Sequence, residues 1–169
     1  MKRTITLLVV AVLLAVIVPA GLGCQKAPSE FEASGTMELT QENFDPKIEN
    51  GKVILEGTNY YDVHGTLEGT TVLEYTVVAD QATGSFTQEG QGTFTGTVKG
   101  KSGSHVYNTV GTGQVEVGLE GESGVATTEE TIVSGTGELA NLRSSLHEEC
   151  QWDKNGMSIT YSGTLRFEE

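Results

Sequence analysis

Three groups of residues in this chain have types and spacings that could support chemistry. Glu129 and Glu130 are adjacent carboxyls in a stretch of strand-forming residues. Neighbours on a strand point to opposite faces, so one of the two is a candidate inward acid. Burial would raise its pKa and suit it to general acid or base work. The weak alternation around them leaves open which one faces in. Asp62 and His64 lie two apart, hence on one face of a strand, where a carboxylate can orient an imidazole. They share the polar parity of their segment, which reads as an exposed pair. His147 and Cys150, with Glu148, Glu149 and Asp153 around them, are zinc-ligand types, but they make only half of a closed site. They read as a charged surface loop with a spare thiol, and Trp152 as an apolar latch at its edge. The nucleophile elbow G-x-S-x-G, the metalloprotease pair H-E-x-x-H and phosphate-binding glycine loops are absent from the sequence. No catalytic residue, metal site or cofactor is assigned.

The elements that must hold these residues are strands. Phe86, Phe94 and Val98 share one parity, while Thr87, Glu89, Thr93, Thr95, Thr97 and Lys99 share the other. This period of two predicts one buried and one wet face. A turn at Gly100-Lys101-Ser102-Gly103 leads into a second strand carrying His105 and Tyr107. Val106 and Val110 share the opposite parity, so His105 lies either outside or, with Tyr107, inside. Phe31 to Thr40 predicts a first strand, and 41–51, with Asp45-Pro46 and Asn50-Gly51, a loop. Val53 to Leu67 is one long strand with Val53, Leu55, Tyr61, Val63 and Leu67 inward. A turn around Glu68-Gly69 leads to Thr70–Ala79 with Leu73, Tyr75 and Val77 inward. Further strands are expected over 114–121 and 124–133, then a sharp bend over 134–142 and a polar surface excursion over 143–156. Met157 to Phe167 alternates most cleanly. Roughly eight strands with hairpin links and no long helix bury their edges best as an antiparallel barrel, with an open sandwich as the alternative.

Composition agrees with strands that curve. The 169 residues include 22 Gly but only 3 Pro, and glycines within strands permit the bends a closed sheet needs. The length suits one domain. The net charge of −13 repels phosphate backbones and anionic headgroups, which excludes nucleic acid as an expected partner.

The first residues read as an export signal. Lys2 and Arg3 precede an unbroken apolar run from Leu7 to Val18, the length of a signal-peptide core and short for a membrane span. Gly21-Leu22-Gly23-Cys24 is similar to a bacterial lipobox, with Leu one place closer to Cys than usual. The organisation expected is a lipoprotein-type signal peptide over 1–23, a polar tether over 24–30 and a β-barrel domain over 31–169, anchored to a lipid bilayer through an acylated Cys24. Cleavage near Ala20 and secretion as a soluble protein is the alternative. Without acylation, a Cys24–Cys150 disulfide becomes available in an oxidising compartment.

Gly100-Lys101-Ser102-Gly103-Ser104-His105 with Gly111-Thr112, and Ser134-Gly135-Thr136-Gly137-Glu138-Leu139-Ala140-Asn141-Leu142, carry a resemblance. Together they resemble a family of small bacterial proteins of unknown function. Its members have a G-(R/K)-S-G-S-F stretch followed by S-G-T-G-E-L-x-x-L. The resemblance covers about 31–169 and implies an all-β, eight-stranded antiparallel barrel similar to allene oxide cyclase and dirigent proteins. This chain departs from the pattern at His105, where Phe is usual, and at Glu129 or Glu130, near a common aromatic. No matching catalytic residues transfer from the cyclases.

The preferred expectation is a non-enzymatic barrel holding a small apolar molecule in its lumen, since eight strands leave room for filling side chains or one small ligand. Leu73, Tyr75, Phe86, Phe94, Tyr161, Leu165 and Phe167 are the lining candidates, and equally serve as plain core. An isomerase or cyclase acting on an apolar substrate is the second reading, and a structural or surface-interaction protein the third.

Overall fold

The computed structural model describes residues 29–116 and 123–169; the expected signal peptide and Cys24 lie outside the described residues. Eight strands follow one another as a meander: β1 (Ser29–Glu49), β2 (Lys52–Gly65), β3 (Leu67–Asp80), β4 (Ser85–Val98), β5 (Lys101–Val115), β6 (Gly124–Gly137), β7 (Leu142–Asp153) and β8 (Gly156–Phe167). Each pairs antiparallel with its neighbours, and β1 returns to β8, closing a barrel. Closure pairs each strand with two neighbours over part of its length and leaves no fully exposed edge strand, although the second half of β1 has a free edge.

The inward residues keep the period of two. Tyr61 and Val63 on β2, Leu67, Leu73 and Tyr75 on β3, Phe86, Phe94 and Val98 on β4, and Ile159, Tyr161 and Leu165 on β8 are buried. Burying each such side chain contributes about 1.5–3 kcal/mol. Two bulges interrupt the period. The β1–β2 register shifts between Leu39 and Gln41, and on β6 Val133 is an extra residue between Ile132 (opposite Tyr107) and Ser134 (opposite Val106). Each bulge flips the inward parity of the residues after it. Val133 is accordingly exposed although Ile132 beside it is buried.

Several boundaries differ from expectation. Residues 41–49 are the second half of β1, not a loop. Beyond Met37 this strand pairs with β2 alone, and an edge position tolerates Pro46, which lacks an N–H. The β2–β3 turn falls at Gly65-Thr66 rather than at Glu68-Gly69. The β4–β5 turn is Lys99-Gly100, both with positive φ, as at Asn50-Gly51; such two-residue turns match the twist of a hairpin. Gly103 sits within β5 instead, where a Cβ would strike the Thr136 carbonyl and approach the Leu139 side chain to 3.1 Å. Residues 143–153 are strand β7, not a surface excursion.

The two ends of the barrel differ. At the end holding the β2–β3, β4–β5 and β6–β7 turns, Val98, Leu139, Leu142 and Leu165 are fully buried and plug the interior. Phe31 stacks on Phe167 there at 6.1 Å, and the ammonium groups of Lys99 and Lys101 lie 4.0 and 3.9 Å from those two rings. Tyr161 ties this end together: its hydroxyl accepts from the Leu67 N–H at 2.9 Å and donates to the His64 carbonyl at 3.3 Å.

Candidate functional site

The opposite half of the barrel is hollow. A cavity of about 490 Å³ is walled by Leu55, Leu73, Tyr75, Val77 and Phe86, with Glu42, Trp152 and Met157 toward its mouth. Asn59, Tyr61, Tyr107 and Glu148 also face it. Beyond Tyr107 and Glu148 lies a void of about 10 Å³, bordered by Thr71, Phe94, His105, Glu130 and Tyr161, room for about one water molecule. Polar groups therefore stand between an apolar chamber and the plugged core.

Strand geometry explains their convergence. Glu130 and Glu148 are diagonal neighbours on the inner face of β6 and β7: Thr128 opposes Glu148 and Glu130 opposes Leu146. Diagonal positions are within reach of long side chains. Burial pushes Glu130 well above the ordinary carboxyl range, and the Glu148 carboxyl raises it further through charge and hydrogen bonding. Burial raises Glu148 to about 7, offset in part by its hydrogen bond with Glu130 and the charge of His147. Two carboxyls placed so closely in a dry setting favour sharing a proton over full ionisation.

The neighbouring groups are partly satisfied. Asn59 Nδ2 donates to the Tyr61 hydroxyl at 2.8 Å. Thr71 Oγ1 donates to the Thr93 carbonyl at 3.2 Å and lies 2.8 Å from the Tyr107 hydroxyl, which is left to donate to it. The Tyr107 ring lies directly over Gly92, where any Cβ would collide with it. Asn59 Oδ1, Glu130 Oε1 and both nitrogens of His105 are buried without a hydrogen-bond partner. The His105 ring stacks on Phe94 at 4.8 Å, and burial lowers its pKa to about 4. It is neutral at physiological pH.

The residues expected to matter separate into groups. Leu73, Tyr75 and Phe86 line the large cavity. Phe94 and Tyr161 border only the small void. Leu165 belongs to the plug, and Phe167 lies partly buried beside Phe31. Glu130 is the inward acid, 6 % exposed; Glu129 points out and holds His147 Nδ1 at 2.7 Å. His105 is inside with Tyr107, 1 % exposed. Asp62 and His64 are not a dyad, since His64 pairs with Glu68 at 3.0 Å on the outer surface. His147 and Cys150 face opposite sides of β7 and cannot share a metal. No group of three His, Cys, Asp or Glu among the described residues is placed to hold one. Cys150 faces the cavity, and burial pushes its thiol up to about 11. Asn59 was not anticipated, and Glu148 was expected only among the charged residues of a surface loop, not in the lumen. Glu148 comes after Leu142, Ser144 and Leu146 at the same parity, and its charged neighbours mask that period. A groove of about 930 Å³ on the outside, lined by Glu56, Thr58, Glu74, Glu89 and Gln91 among others, is wide open to solvent.

Fold and interior together define a closed eight-stranded antiparallel ring, plugged at one end and hollow at the other. The sequence profile of DUF3224, a protein family of unknown function, matches residues 30–162, and the chain belongs to that family. It is similar to the crystal structure of a DUF3224 protein of unknown function from Shewanella oneidensis MR-1. That match has 18% identity and a TM-score of 0.62, covering 83% of this chain and 99% of that one. At this identity the likeness speaks for the fold alone. No curated protein matches the chain.

Proposed function

We propose that this protein is an exported, lipid-anchored binding protein whose half-hollow barrel, of allene oxide cyclase-like architecture, holds a small and largely apolar molecule. The observation that carries this reading is the cavity of about 490 Å³, a size typical of small-molecule sites, with apolar walls and a few convergent polar groups. The basic head, the apolar run and Cys24 support export and acylation. Mass analysis of the mature N-terminal peptide tests that part: a diacylglyceryl group on Cys24 is expected, and an unmodified chain beginning near Gly21 would replace anchoring by secretion.

The binding function is tested by native mass spectrometry of the gently purified full chain. A reproducible added mass that disappears on denaturation is expected, and its identity would name the ligand. No added mass, together with no binding of a neutral apolar dye such as Nile red, would overturn the reading.

A specific feature favours isomerisation as a second reading. Glu148, raised to about 7, could exchange a proton with a substrate in the cavity near neutral pH. Chemical conversion of a ligand by the wild type and not by Glu148→Gln would establish it; a ligand recovered unchanged after prolonged incubation would leave simple binding.

A further inference from the structure

We infer that the lumen takes an amphiphilic organic cation, an apolar body carrying one ammonium group, with its nitrogen held by the Glu148 carboxyl, which Glu130 backs from the small void, and its body along the apolar wall of the cavity. This rests on the binding function proposed above and names the ligand class. Three observations carry it.

The first is chemical sign. Two acids, Glu148 and Glu130, border the chambers, Glu42 stands toward the mouth, and neither lining includes a Lys or Arg. A buried carboxylate is costly unless paired with a cation, and the described residues supply no Lys or Arg there. A ligand ammonium would be that partner. The acidic surface, net −13, raises the local concentration of cations outside.

The second is the kind of hydrogen-bonding capacity left unfilled. Asn59 Oδ1 and Glu130 Oε1, in residues 9 % and 6 % exposed, have no partner. Asn59 Oδ1 is an acceptor facing the large cavity, and Asn59 Nδ2 is already used on Tyr61. Glu130 Oε1 and the two unpartnered nitrogens of His105, one of them an N–H donor, border the small void. An ammonium offers three donors and no acceptor. A carboxylate ligand would add negative charge to a site that already struggles to ionise.

The third is the wall. Tyr61, Tyr75, Phe86 and Tyr107 present aromatic surface to the same cavity, which suits both an apolar body and the positive charge next to it.

Binding is then linked to protons. The groups that face the carboxyls or line their chambers are Glu42 on β1, Tyr61 on β2, Tyr75 on β3, His105 and Tyr107 on β5, Cys150 on β7 and Tyr161 on β8, while β4 contributes only the uncharged Gln88, Phe86 and Phe94. His147, on the outer face of β7, adds a charge that favours ionised Glu148. The phenols and the thiol stay protonated near neutral pH, and His105 stays neutral. The carboxyl pair is thus what titrates, and a bound ammonium would expel its proton.

The test is calorimetry on the full chain with three chain-matched probes: n-octylamine, 1-octanol and octanoate. At about pH 8 octylamine is expected to bind at least about tenfold more tightly than octanol, and octanoate most weakly. Octylamine affinity should fall about tenfold on going to about pH 5.5 while octanol is unchanged. Glu148→Gln should erase the preference for the amine and keep octanol binding. Should that variant fold poorly, the wild type in buffers of different ionisation enthalpy still decides: octylamine must release protons and octanol must not. Octanol binding as tightly as octylamine, or octylamine binding without proton release, would overturn the cation inference and leave the binding reading intact. Failure of all three probes would count against both. Octylamine binding that disappears in high salt and survives Glu148→Gln is surface attraction and also overturns the inference.

Discussion

The imidazole of His105 lies nearly parallel to the ring of Phe94, with centroids 4.8 Å apart and planes 22° from each other. It fills an aromatic slot, yet neither of its nitrogens has a partner. A buried polar group without a hydrogen bond costs about 1–3 kcal/mol relative to an apolar group of the same shape.

His105→Phe is therefore expected to stabilise the barrel by about 1–2 kcal/mol at neutral pH. The gain should grow in acid. The folded pKa of His105 is lowered to about 4, so between its ordinary value and 4 the unfolded chain binds the proton and the folded one does not. Stability contributed by this site is present above about pH 6.5 and is lost as pH falls toward 4, by up to about 3 kcal/mol. Urea titrations of both proteins at several pH values measure this. A destabilised variant would mean that the imidazole makes a contact which Phe cannot replace.

Glu148 should act in the opposite sense. Its folded pKa is raised to about 7, so it favours the folded state below its unfolded value and loses that contribution as pH rises from about 4.5 to 7. Glu148→Gln should be more stable than the wild type above about pH 7, with the difference shrinking toward pH 4.5. Thermal melts across that range decide it; a difference independent of pH would show that Glu148 ionises as freely as an exposed acid.

Tyr161→Phe removes the hydroxyl that accepts from the buried Leu67 N–H. The orphaned amide should cost about 1–3 kcal/mol, with local loosening of the β2–β3 turn. Amide exchange at Leu67 is the direct readout, and unchanged protection there would sink the assignment.

Ala126 borders the cavity. Ala126→Phe should occupy part of it and weaken binding of apolar probes about tenfold or more, with stability within about 1.5 kcal/mol because the site is roomy. Dye titration and a melt of the same preparation check both halves. Undiminished binding would place the dye elsewhere on the barrel.

The ring of strands was legible because the inward sets on β3, β4 and β8 keep the period of two: Leu73 with Tyr75, Phe86 with Phe94, Ile159 with Tyr161. Val72 and Val78 on β3 and Gln88 on β4 blur the apolar–polar pattern. The site was less legible, for local reasons. The bulge at Val133 shifts parity a few residues after Glu130, so the alternation around the two acids looked weak and could not choose between them. On β7 the lumen side itself carries Ser144, Glu148 and Cys150 beside Leu142 and Leu146. A strand with polar residues on both faces has no amphipathic signature, and it read as a surface loop. Asn59 was hidden similarly, as a polar residue within an otherwise apolar inward set. What obscured these positions in the sequence is what distinguishes them in the fold, since polar side chains stand where packing alone would favour apolar ones.

The first strand begins at the plugged end, where Ser29 is paired with Phe167. Anything that holds the chain by the residues before Ser29 pulls from the sealed side, and the hollow side points away from it. The barrel thus has a fixed polarity with respect to the anchor proposed above. Held that way on an envelope, it would stand like a cup on a surface, filled from the surrounding fluid and not from the layer beneath.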